Sequence, residues 1–186
     1  MKSVEYHRTR AIVEIAVAST AMMRVFKKGS VSDIENMIGA ILPTLRDVHD
    51  QQQFDALHEK FCQRFMPAIC LAKAKNGQSA QASYGHAAKV LDVALKVCVD
   101  FCQLPDASTS QRIKRFLHAG IDTQLLAELK EKECHEIEAT SVQEIDRETY
   151  QVLQLAVARQ IEKTEEFHGL LPVEYDNIKF QKLNPR

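Results

Sequence analysis

The sequence has no tryptophan, only six glycines and only five prolines in 186 residues. So few chain breakers leave little room for many short strands and tight turns, and they point to long helices. No apolar run approaches the roughly 20 residues needed to span a bilayer, so no membrane is expected. The N-terminal stretch before Met23 has basic residues ahead of an apolar run, as a signal peptide does, but Glu14 interrupts that run and Arg24 closes it. Five cysteines is an odd number with no C-x-x-C among them. That excludes a disulfide framework and the common zinc-ribbon spacings, and it fits a reduced, cytoplasmic chain. There is no P-loop, no Rossmann glycine run, no H-E-x-x-H and no Ser-His-Asp order. A net charge of −1 is too little of either sign for an indiscriminate nucleic-acid binder.

What is present is ordinary globular material, 45% hydrophobic and 26% charged. The length fits one domain with a sizeable core. The reading is a single all-α domain over residues 1–186. It has five to six helices in a bundle, and residues 170–186 form a short extended tail packed on it. Charge is divided along the chain. Residues 1–120 hold 16 Lys+Arg against 11 Asp+Glu, and residues 121–186 hold 8 against 14. Such a split can orient self-association or bare one basic face, although scatter over a wetted surface is the simpler outcome.

Hydrophobic spacing sets the expected helices. The first runs from Ser3 to Lys28 with Val4, Ala11, Ile12, Ile15, Ser19, Met22 and Phe26 inward. Arg8 lies on this stripe, beside Glu5, in a first turn that projects into water. A second starts at a Ser32/Glu35 capping box and kinks or ends at Pro43. A third begins near Asp50 or Gln51, buries Phe54, Leu57, Phe61 and Phe65, carries His58 in its stripe and ends near Asn76-Gly77. His58 reads as a core-edge histidine bonded to a carbonyl. Later capping boxes at Ser108/Gln111 and Ser141/Glu144, and an Asp122 cap, open further helices. Pro172 onward alternates loosely, with Val173, Tyr175, Ile178 and Phe180.

The organising stretch is residues 79–104. Ala87, Val90, Leu91, Ala94, Leu95, Cys98 and Phe101 fall on one arc at helical spacing, and Lys89, Asp92, Lys96 and Asp100 on the other. The expectation is a rod capped by Ser79, dry along its cysteines and wet along its lysines. Gly85 inside it costs about 1 kcal/mol against alanine, which calls for another backbone close by. Tyr84-Gly85-His86-Ala87-Ala88-Lys89, then Asp92 and Leu95-Lys96, resembles the Y-G-x-A-x-K-x-x-(N/D)-x-x-L-K helix of small uncharacterised all-helical bacterial proteins. Gly120-Ile121-Asp122 and Leu171-Pro172-Val173-Glu174-Tyr175 are similar to later pieces of that family. The resemblance covers roughly the C-terminal half; it implies a helical fold and no particular reaction.

Two constellations could carry chemistry. Cys98 and Cys102, with Cys62 and Cys70, have a spacing that could share a metal, but they sit in apolar arcs where cysteine acts as a small hydrophobe. No metal and no cofactor is expected from them. Arg112, Arg115 and His118 are neighbours at helical spacing. Arg112-x5-His118 resembles the Arg-His signature of HEPN-type ribonucleases, which implies His118 as acid or base and Arg112 stabilising phosphate charge. If the next helix folds back on the rod, Lys89, Lys96, Arg112 and Arg115 could form one phosphate-binding patch. The leading expectation is therefore a non-enzymatic binding or interaction protein. Its partner would be a protein, a second copy of itself, a phosphate-bearing ligand or a nucleic acid. The ribonuclease is the alternative.

Overall fold

The computed structural model describes residues 3–72 and 80–183. These residues are all-α, with two isolated β-bridges, Phe26 to Leu71 and Cys70 to Gln81, as the only extended pairing among them. Eight α-helices occur where five or six were expected: α1 Val4–Ser19, α2 Ser30–Ile41, α3 Gln51–Ala68, α4 Tyr84–Leu95, α5 Ala107–Ile113, α6 Thr123–Lys132, α7 Arg147–Lys163 and α8 Pro172–Leu183. No helix of the described residues is long and apolar enough to cross a membrane.

Aspartate starts four of these eight helices. Asp50, Asp106, Asp122 and Asp146 each accept a hydrogen bond from an amide in the first turn of α3, α5, α6 and α7. Each satisfies an orphan donor and places a negative charge at the positive end of the helix dipole. The Ser108 and Ser141 boxes do not form. Glu144 instead accepts from the amide and hydroxyl of Thr140. The expected Ser32 start lies inside α2, whose N-cap is Gly29 at φ 99°. Pro43 ends α2 as expected, and the chain continues as a 3-10 turn over Leu42–Asp47.

Helix α1 stops at Ser19, well short of Lys28, and buries Val13, Ala16 and Val17. Val4 and Ile15, assigned to its inner stripe, face solvent. Arg8 is exposed and paired with Glu5 at 3.2 Å. The expected ending of the third helix at Asn76-Gly77 and the expected Ser79 cap lie outside the described residues, but α3 has ended at Ala68 and α4 starts from Ser83.

The C-terminal segment is helix α8 rather than an extended tail. Pro172 suits a first helical position, because its missing N–H would be unpaired there anyway. The buried side chains of α8 are Val173, Tyr175, Asp176 and Lys179. Two of the four are charged, so the helical period is hidden from any apolar pattern.

The largest correction concerns α4. Ten of its twelve residues are buried, Asp92 among them, and Lys96 just beyond it is only 9% exposed. The expected wet face is packed against protein. Helix α4 runs through the centre, touched by α1, α3 and α7. Its polar residues are tolerated because each meets a partner: Lys96 donates to Asp176 of α8 at 2.6 Å, and Asp92 enters the cluster described next. Ser83 and His86 form a reciprocal capping box at its start, and a π-helical turn, Lys96–Phe101, follows its end.

Candidate metal centre

Four side chains from four parts of the chain converge beside the middle of α4. His58 comes from α3, Asp92 from α4, His118 from the segment after α5, and Tyr150 from the first turn of α7. The Tyr150 hydroxyl is the hub. It donates to Asp92 Oδ2 at 2.8 Å and lies 3.2 Å from His58 Nε2 and 3.0 Å from His118 Nδ1. His58 Nε2 also lies 3.0 Å from Asp92 Oδ1. The side chains of His58 and Asp92 are 2% and 1% exposed, and that of His118 is 15% exposed. The quartet is therefore sealed except along one edge of His118.

That edge carries a second set of contacts. His118 Nε2 sits 3.0 Å from Asp55 Oδ1, and the Gln51 amide donates to the same Asp55 oxygen at 2.8 Å. Burial pushes the Asp55 carboxyl up, but the hydrogen bonds from His118 and Gln51 outweigh it and hold it below the ordinary range. On the opposite side, His58 Nδ1 faces the Cys62 sulfur at 3.8 Å, one helical turn along α3. Burial and then the Asp92 charge push the Cys62 thiol well up. Burial, followed by the Asp92 charge, likewise pushes Tyr150 far up and keeps it a proton donor. Stacking fixes the rings: His58 lies on Tyr150 with centroids 5.1 Å apart and planes 16° from parallel.

Ligand atoms of three of these side chains lie close enough together to reach one ion. Nitrogen and oxygen ligands about 2.1 Å from a zinc-like ion sit about 3.4 Å from one another at the corners of a tetrahedron. The contacts here, taken to both Asp92 oxygens, are hydrogen-bond distances of 2.8 to 3.2 Å, shorter than that spacing. One ligand atom from each of His58, Asp92 and His118 lies within 4.8 Å of the others. Two imidazoles, a carboxylate and a phenol form a donor set suited to zinc, iron or cobalt. The outer nitrogen of His118 rests on a carboxylate, the arrangement that orients metal-binding histidines. The same groups hydrogen-bond one another.

The residues singled out from the sequence go to different places. Lys96 is inside, on Asp176. Arg112 donates to the backbone carbonyls of Leu45, Arg46 and Val48, closing the end of the 3-10 turn after α2. Arg115 is exposed and Lys89 half-buried. Lys96 thus faces protein while Arg115 faces water, and the four cations do not share one open face. Arg112 and His118 also point to separate partners. The five cysteines are free, with Cys62, Cys98 and Cys134 buried. Sequence reasoning missed His58, Asp92 and Tyr150 as a group because they lie on three helices, far apart in the chain. The one signal available was His58, a polar residue placed in a stripe otherwise bound for the core.

Comparison with protein families, curated proteins and solved structures returned no match.

Proposed function

We propose that this is a metal-binding protein that holds one divalent first-row transition-metal ion at His58, Asp92 and His118, with the Tyr150 hydroxyl at the fourth corner. The observation that carries this reading is the largely buried cluster of His58, Asp92 and His118, with one ligand atom of each within 4.8 Å of the others and His118 oriented by Asp55. Four protein corners and burial describe a closed site, which is the form of a structural centre rather than one with an open position for substrate. The ion would tie α3, α4, α7 and the chain around His118 together. This keeps the expectation of a non-enzymatic binding protein and makes the bound species a cation. The phosphate-bearing ligand and the ribonuclease pair draw less support, because Lys96 and Arg112 are already committed within the protein and Arg112 and His118 have separate partners.

The test starts from chelator-stripped protein. Zinc or cobalt(II) is expected to bind at one ion per chain, with the visible absorption of tetrahedral cobalt. At about 100 times Kd the ion should add about 2.7 kcal/mol, raising Tm by about 5–10 °C for a chain of this size. Asp92→Asn keeps groups able to hydrogen-bond Tyr150 and His58 but loses the ligand charge, so the folded variant should bind far more weakly. Affinity should also fall as the solution is made more acidic, since metal ligands must be deprotonated to bind. Absence of saturable binding, or equal binding by Asp92→Asn, would leave the quartet as a hydrogen-bonded core network only.

A further inference from the structure

Helices α2 and α3 leave a groove of about 330 Å³ between them, at the small end of the roughly 300–1,000 Å³ usual for ligand clefts. It is separate from the metal quartet. The buried ring of Phe61 and the half-buried Met37, Ile41 and Leu57 give it an apolar lining. Lys60 and Arg64 also line it. They are one turn apart on α3, so both cations lie along the same side of the opening. Both are exposed, and among the described residues neither has a carboxylate partner or a hydrogen bond. Elsewhere on the surface Arg8, Arg10, Arg46, Lys114 and Arg147 each have one. No carboxylate is among the residues lining the groove.

An apolar trough with two unneutralised cations on one rim is complementary to one kind of molecule. We propose that the groove between α2 and α3 binds a small organic anion with an apolar body, the chemistry of a medium-chain or aryl carboxylate. The apolar part would displace water from Met37, Ile41 and Leu57, and the carboxylate would sit between Lys60 and Arg64. Arginine can take a carboxylate through two parallel N–H donors, while lysine adds a mobile point charge. Such a ligand would fill a space that α2 and α3 already line.

Octanoate is the probe, and 1-octanol is its uncharged control. The readout is the methyl NMR signals of Met37, Ile41 and Leu57. Octanoate should shift these three saturably, and octanol should bind at least about tenfold more weakly. The double variant Lys60→Glu/Arg64→Glu changes two exposed side chains, so it should fold with an unchanged Tm and lose octanoate by about tenfold or more. Equal binding of octanol and octanoate by the wild type would overturn the proposal. So would undiminished octanoate binding by the double variant, or the absence of any saturable shift. None of these results depends on a bound metal ion.

Discussion

Lys96→Met is expected to destabilise the protein by about 3–5 kcal/mol at neutral pH, because it leaves the Asp176 carboxylate buried without its partner. Burial already pushes Asp176 up even against the pull of Lys96. With the ammonium gone, its folded pKa rises further above the unfolded value of about 3.9. The folded state then holds the proton more tightly than the unfolded one. Stability is therefore fully present below about pH 4 and falls as pH rises toward the folded pKa, by up to about 1.4 kcal/mol per pH unit. Asp176→Asn strands the Lys96 ammonium instead and should also destabilise the protein. Lys96→Met with Asp176→Leu removes both charges and should come close to wild type or exceed it. Urea unfolding from pH 4 to 10 reads all three. A Lys96→Met change within about 0.5 kcal/mol at every pH would mean that Lys96 lies in water after all.

Gly85→Ala is the second large effect. A Cβ there would stand 2.1 Å from the carbonyl oxygen of Val142 and 2.8 Å from Ile145 Cβ. The Gly85 amide also donates to the Ile145 carbonyl at 2.9 Å, so the start of α4 lies directly on the 142–145 backbone. Neither backbone can yield without losing that bond. The better helix propensity of alanine returns only about 1 kcal/mol. A net loss of about 3 kcal/mol is expected, at the upper end for overpacking, with Tm lower by about 6–12 °C. Gly39→Ala is the control. It lies inside α2 with nothing within 4 Å of the added atom, so it should be neutral or stabilise by about 0.5–1 kcal/mol. Equal Tm values for the two variants would remove the close approach.

That approach was legible in the sequence, since a glycine in an apolar helix asks for a neighbour and Gly85 has one. The stripe of α3 was legible too: Phe54, Phe61 and Phe65 are all buried, as their spacing requires. So were the Asp122 cap of α6 and the break at Pro43. Reading stopped where polar residues go inside. Lys89, Asp92 and Lys96 share an arc of α4, and an arc of charges looks the same whether water or buried partners satisfy it. The partners of Asp92 and Lys96 are His58, Tyr150 and Asp176, none within 30 residues in the chain. Helix α8 was missed for the same reason, because its inner face contains Asp176 and Lys179. Helix α1 failed differently. Its buried side is Val13, Ala16 and Val17, while Val4 and Ile15 face out, so the apolar residues are spread round the helix and their spacing selects the wrong stripe. His58 fell in a correctly read stripe, yet its partner is a carboxylate on the neighbouring helix and not a carbonyl.

Helix α4 is buried along most of its surface, with only Lys89 and Val93 partly open, and this decides how the protein opens. A surface helix can peel off and release its amide protons to solvent while the rest stays folded. α4 has no such route, since freeing it means first detaching the helices around it. Its backbone amides should therefore be the slowest to exchange with deuterium, all at nearly one rate, and that rate should report the free energy of unfolding the whole described structure.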